Sequence, residues 1–223
     1  MCGRFVLSKT SNELASELEA ENNFQGQLPS FNIAPTQQVP MLLLSDSRLL
    51  TDAYWGLVPH WADKPPKTPL INSRIETILE KPSFRNAVRK SRAVIPASGY
   101  FEWKQFATGK QPVFIHSNKL LLFAAIYEPA SPLSNNLPSF SIVTKQSAAE
   151  IEQIHDRNPV MLEDLNQWLD SEAKPEQLIS SIADQSDRIA SKLSFYEVNK
   201  SVGSVSNNHP GLIKPESDQK LFD

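Results

Sequence analysis

Apolar residues along this chain follow two rhythms. Near the start, Thr10-x-x-Glu13 has the form of a capping box, and Leu14 and Leu18 continue one face at helical spacing, which predicts a short helix. Ser147-x-x-Glu150 has the same form and predicts a second helix through Ile151 and Ile154. Leu162 to Leu169 and Pro175 to Ala183 read as two further short helices, with Pro175 placed where a helix begins. Elsewhere the runs are short, apolar or alternating, and bounded by Pro, Ser, Asn or Gly. They are VPMLLLS (39–45), LLTDAYWGLV (49–58), RAVIPA (92–97), GYFEWKQF (99–106), PVFIHS (112–117), KLLLFAAIYE (119–128), SFSIVTK (139–145) and LSFYEVN (193–199). Strands in the middle with helices at the front and in the last third predict an α+β fold. Its core is expected to be a mainly antiparallel β-sheet or open barrel with several short helices. Regular β-α-β alternation is missing, which argues against a doubly wound sheet.

No internal repeat or low-complexity tract interrupts this pattern. PHWADKPPKTP (59–69) suits neither a helix nor a central strand and reads as a rigid surface loop. One domain is expected over residues 1–215, with 216–223 as a loose tail. At 223 residues the chain is long enough to bury a core, and 40% hydrophobic with 21% charged residues fits a globular protein. No apolar run reaches membrane-spanning length, and MCGRFVLSKTSNELASE turns polar too early for a signal peptide. A soluble cytoplasmic protein, acting as a monomer, is the expectation. The net charge of −3 argues against a broadly basic nucleic-acid coat but leaves room for a local basic cleft. KPSFRNAVRKSR carries Lys81, Arg85, Arg89, Lys90 and Arg92 without an acid, and most of these read as a solvated face.

The chain holds one cysteine, Cys2, so no internal disulfide is possible. A lone cysteine is ordinarily inert. Removal of Met1 would change that, because it would leave an α-amine of ordinary pKa near 7.7–8.0 beside a thiol near 8.5, with roughly a tenth of the amine neutral at pH 7. Such an amine and thiol can add to one aldehyde, the amine as a Schiff base and the sulfur closing a five-membered thiazolidine. His60, His116, His155 and His209 show no ligand spacing, so no metal is expected. No P-loop, dinucleotide fingerprint or G-x-S-x-G is present, and no cofactor is expected. Taken singly, Glu102 reads as an exposed strand position, His155 as a helix C-cap, and Asn72 and Arg74 as loop polarity.

The strings MCGRF, FNIAPTQ (31–37), WGLVPHW (55–61), INSRIET (71–77), SGYFEWK (98–104), IVTKQSAAEIEQIHDRNPVML (142–162) and VGSVSNNHPGLIKP (202–215), in this order, resemble the SOS response-associated peptidase (SRAP) family. The similarity covers nearly the whole chain. It implies a protein that senses abasic sites in single-stranded DNA and crosslinks to them through its N-terminal cysteine once Met1 is lost, with associated lyase and autoproteolytic activity. Carried over, Cys2 is the nucleophile, Asn72 holds the amine or sugar, Glu102 moves protons, and His155 assists ring opening and reversal. Arg4 and Arg74 match phosphate-binding arginines. Asn32, Pro35, Trp61, Trp103 and Thr144 fall in strings that line the family's DNA cleft, and Lys81 is expected to join them. Ser73 replaces the family's usual Ala, and Asn158 stands where Met or Arg is common. Two other classes compete: an N-terminal-nucleophile amidohydrolase, disfavoured by the lack of any Asn-Gly pair, and a non-catalytic single-strand binding module using Trp61, Trp103 and the arginines.

Overall fold

The structure is a computed structural model that describes residues 2–107 and 109–216. The expected tail beyond Glu216 lies outside the described residues. In chain order the elements are β1 (Phe5–Leu7), α1 (Ser11–Glu17), β2 (Glu21–Asn22), β3 (Ser30–Ile33), β4 (Gln38–Leu44), β5 (Arg48–Trp55) and β6 (Asn72–Arg74). There follow α2 (Ala87–Lys90), β7 (Arg92–Phe106), β8 (Gly109–Ser131), β9 (Leu137–Gln146), β10 (Arg157–Pro159), α3 (Leu165–Leu169), α4 (Pro175–Ala190) and β11 (Ser194–Glu197). All strands join one sheet in the order β11-β8-β9-β5-β4-β7-β1-β3, with β2, β6 and β10 attached at its flanks. Because β7 also pairs with β8, the strands β8, β9, β5, β4 and β7 form a ring of pairings. Most pairs are antiparallel; β2–β5, β5–β9 and β6–β9 are parallel. This is the mixed α+β architecture that the sequence pattern predicts.

Local chemistry explains most element ends. The Thr10 hydroxyl accepts from Glu13 N while the Glu13 carboxylate accepts from Thr10 N at 2.7 Å, so α1 opens on the expected capping box. Pro175 stands in the first turn of α4, and Leu178, Ile182, Gln185, Ser186 and Ala190 bury one face, extending the helix beyond the expected Ala183. The second capping box does not form: Ala149–Gln153 is a 3₁₀ turn with Ala148 at its N-cap and no capping side chain. The Glu150 side chain lies outside the described residues. RAVIPA and GYFEWKQF are one strand, as are PVFIHS and KLLLFAAIYE. Ala97 pairs with Leu121 and Gly99 with His116, so residues 117–120 bulge opposite Ser98 and the ladder continues past both apparent breaks. Arg92 departs from the solvated face expected of its stretch. It is buried, and its guanidinium donates to the carbonyls of Val88, Trp168, Asp170 and Ala173.

Two apolar clusters sandwich the strands that carry the site. In the main one, Phe5 packs edge-on against Trp55 at 5.1 Å, and Trp55 stacks on Phe140 at 6.3 Å. In the second, Val6, Phe101 and Phe114 meet Val198, Val202 and Leu212 of the C-terminal segment. No helix among the described residues is long and apolar enough to cross a membrane. Gly99 marks where β7 turns from scaffold to site. A Cβ there would stand 2.5 Å from the Phe114 ring and 2.8 Å from the Ile115 carbonyl oxygen, the latter an unyielding backbone atom. Gly99→Ala is therefore expected to destabilise the fold by about 1–3 kcal/mol, measured by urea unfolding; an unchanged midpoint would contradict that close approach.

Candidate active site

Three strands bring the reactive groups together. β1 pairs with β7 through Phe5↔Tyr100, and the Phe101 N–H donates to the Arg4 carbonyl at 2.9 Å. That pairing draws Cys2 against the second half of β7, where it is fully buried. From the other side β6 lies parallel to β9, with Asn72 opposite Ile142, and the Asn72 amide donates to the Cys2 carbonyl at 2.8 Å. Asn72 Oδ1 is buried with no hydrogen-bond partner, so one acceptor is left over within reach of Cys2.

Glu102 is only 3% exposed, and burial pushes its carboxyl up to about 7. Its Oε2 lies 3.8 Å from His155 Nε2. His155 follows the 3₁₀ turn, its N–H bonded to the Ile151 carbonyl at 3.1 Å. Its Nδ1 has two neighbours that suit different proton states. The neutral ring accepts from the Arg157 N–H at 3.1 Å, whereas the imidazolium donates to Asp156 Oδ1 at 2.7 Å. Burial pushes the ring below the ordinary histidine range, which favours the neutral form. With Nδ1 accepting, the ring proton sits on Nε2, on the Glu102 side.

The thiol itself moves the other way from what adjacent arginines would produce. Burial, reinforced by the Glu102 charge, pushes Cys2 well above the ordinary thiol range. Arg4 is occupied elsewhere: it donates to Asn32 Oδ1 at 2.7 Å and to the Val202 carbonyl at 2.9 Å, and lies over the Trp103 ring at 5.7 Å. Asn32 in turn gives its amide to the carbonyls of Val202, Ser204 and Asn207. Thr144 is fully buried beneath β6, its hydroxyl donating to the Ser73 carbonyl at 3.4 Å. Arg74 points outward at the end of β6, Pro35 is half-buried, and Trp61 and Lys81 are exposed, Trp61 at 57%.

The structure thus gathers Cys2, Asn72, Glu102 and His155 into one set. It gathers Arg4, Asn32 and Trp103 into another on the opposite side of β7. Reading the sequence missed Arg157 and Glu76, which form a two-pronged ion pair at 3.2 and 2.8 Å and brace the loop that bears His155. Both lie inside strings that the sequence offered, INSRIET and IHDRNP, but nothing in their spacing shows that they meet. Ser73 is buried against the Ile142 carbonyl. Asn158 is also fully buried, with its amide on the Pro159 carbonyl, and presents nothing to a surface ligand. Among the described residues no group of carboxylate, histidine or cysteine side chains could hold a metal.

A family model described as SOS response associated peptidase (SRAP) matches residues 1–205. The chain belongs to the SRAP family. Its relatives include the abasic site processing protein YoqW of Bacillus subtilis, 35% identical, with 96% of this chain and 99% of that protein covered. YedK of Escherichia coli, also an abasic site processing protein, is 33% identical over 96% of this chain and all of its own length. HMCES of Gallus gallus, a third protein of that description, is 31% identical over 84% of this chain and 66% of its own. A crystal structure of a Bacteroides thetaiotaomicron protein shares the fold at a TM-score of 0.80 and 22% identity, covering 96% of this chain and 99% of that one.

In this SRAP chain the raised Glu102 makes stability depend on pH. The native carboxyl titrates near 7 and the unfolded one near 4.5, so the folded state holds the extra proton between them and loses stability as pH rises through that window. Glu102→Gln, which keeps the shape without the charge, is expected to gain about 3 kcal/mol over the parent above pH 7 and little below pH 4.5. Denaturant unfolding of both proteins at pH 4 and pH 8 measures this. Equal differences at the two pH values would mean that Glu102 is not strongly shifted.

Proposed function

We propose that this protein, once Met1 is removed, captures abasic sites in single-stranded DNA by forming a thiazolidine between Cys2 and the ring-opened sugar. The observation that carries the reading is the convergence of a buried carboxyl near pKa 7, a neutral histidine and an amide on one residue, Cys2. Abasic site processing is also the printed description of relatives covering nearly all of this chain. The protein acts as a soluble cytoplasmic monomer associated with DNA.

The neutral α-amine adds to the C1′ aldehyde, and a proton shift gives a neutral carbinolamine. Protonated Glu102 delivers its proton to the hydroxyl, which leaves as water, and an iminium and a carboxylate remain. The carboxylate takes the proton from the Cys2 thiol, and sulfur adds to the iminium carbon. The ring contains C1′, N, Cα, Cβ and S; one water is released and Glu102 is restored. A carboxyl titrating near 7 holds both of its forms at neutral pH, as this two-way traffic needs. His155 relays a proton to the sugar ring oxygen as the sugar opens, and does the reverse when the adduct comes apart. An iminium left unclosed loses the β-phosphate, which gives strand cleavage as a side activity.

Around this centre Arg74 and Lys81 hold phosphates and Trp61 stacks on a base, worth roughly 1–3 kcal/mol. Arg4, Asn32 and Trp103, on the far side of β7, and Thr144, buried beneath β6, brace the strands behind the site, and Pro35 shapes its wall. Single strands bend into such a pocket without unpairing, whereas a duplex must first be opened. Mature protein incubated with abasic single-stranded DNA is expected to give a shifted band that survives heat and detergent. Cys2→Ala and a retained Met1 should both abolish it, and an identical adduct from Cys2→Ala would sink the assignment. Glu102→Gln should slow capture by about 10²–10⁴-fold while undamaged single strands still bind. Equal capture from single-stranded and duplex oligonucleotides would contradict the bent-strand pocket.

A further inference from the structure

Tyr100 is the one fully buried tyrosine of the main cluster, and its hydroxyl has no hydrogen-bond partner. Leaving a buried hydroxyl unpaired is unfavourable, and a phenylalanine of the same shape would avoid it. Packing alone therefore explains the ring, which meets Phe123 edge-on at 5.8 Å, but not the oxygen. The position of Tyr100 offers an explanation. Alternation along β7 sends Phe101 and Trp103 to the second cluster and puts Tyr100 on the same face as Glu102. Its partner across the ladder is Phe5 of β1, the strand that Cys2 leads into, and Cys2 and Tyr100 share one apolar cluster.

We infer that Tyr100 is a positioning residue whose hydroxyl donates a hydrogen bond to the Cys2 sulfur as it becomes a thiolate during ring closure. The inference rests on the crosslinking reaction proposed above. A thiolate formed where water is excluded needs more than the one donor it has, the Arg4 backbone N–H, and the Arg4 guanidinium is turned away to Asn32, Val202 and Trp103. Burial and the nearby Glu102 and Cys2 charges hold the phenol well above its ordinary pKa, so it stays a donor and never competes for the proton. No bond is made or broken at Tyr100. The thiol proton still goes to Glu102, and the hydroxyl holds the sulfur while the charge lasts.

Tyr100→Phe separates this role from a structural one. The variant is expected to unfold at the same temperature as the parent or higher, because it removes an unpaired buried oxygen. Its Schiff-base step should proceed while closure lags, so more of the DNA is trapped by cyanoborohydride or nicked by elimination and less is carried as thiazolidine. Losing one donor should lower the thiolate fraction by about tenfold; the more basic sulfur is also the better nucleophile, which leaves a net loss of about threefold in rate. A second measurement needs no DNA. Cys2 is the only thiol, so its alkylation by iodoacetamide at pH 8 should slow by the same threefold. If the parent crosslinks and the variant partitions identically, the inference fails and the crosslinking reading stands. If the parent gives no adduct, that reading fails, and the alkylation rate alone decides whether Tyr100 serves the sulfur. Alkylation at the parent's rate, or a large fall in unfolding temperature, would overturn the inference.

Discussion

Everything in this site follows from burying Cys2. A residue at the head of β1 would ordinarily be exposed and mobile, yet here three elements enclose it. β1 is only three residues long and is held on both sides, by β3 and by β7, so its direction is fixed by two ladders. Asn72 then ties the Cys2 carbonyl to β6, 70 residues away in sequence. The backbone of the nucleophile is thereby fixed before any substrate arrives, which lowers the entropy lost in reaching a reactive geometry. The same enclosure makes the thiol a poor acid and Glu102 a weak one.

The second constraint is the C-terminal segment, which covers the face of β1, β7 and β8 that the main core leaves bare. Val198, Val202 and Leu212 supply the apolar contact, but Asn32 sets the geometry. One side-chain amide serving three carbonyls can do so only if the loop after Val202 curls around it. Asn32 also accepts from Arg4, so the loop, β3 and the residue next but one after Cys2 are joined through one buried side chain. Phe31 extends the join by donating its N–H to Asn208 at 2.6 Å. Asn32 and Arg4 are thus framework for the reactive set, on the opposite side of β7.

Local rules read the outline of this fold well because its elements obey them. The α1 box and the α4 proline satisfy backbone groups with neighbours a few residues away, and such pairings are visible in sequence. What stayed hidden depends on distant partners. Ser98 and Asn118 look like strand ends, but one antiparallel ladder carries through them because β7 and β8 pair on both sides of the bulge. Arg92 looks solvated until four carbonyls from α2, α3 and the turn after α3 close on it. In the site, Cys2, Glu102 and His155 were legible through their strings. Tyr100 was not singled out, since an alternating strand shows that a tyrosine is buried but not that its hydroxyl is left without a partner.

One protein environment moves Glu102 and His155 in opposite directions, and that pairing is more informative than either shift. Exclusion of water disfavours charge on both, so the carboxyl rises toward 7 and the imidazole falls below its usual range. Two groups whose ordinary values lie about two units apart, the imidazole above the carboxyl, thereby exchange order. Across the 3.8 Å between them the proton therefore rests on Glu102, whereas in water it would rest on the imidazole. Asp156 biases the exchange, because it stabilises the imidazolium that results when His155 takes the proton. A site built this way keeps Glu102 loaded as the acid and His155 free as the base, and that division follows from burial rather than from any additional catalytic group.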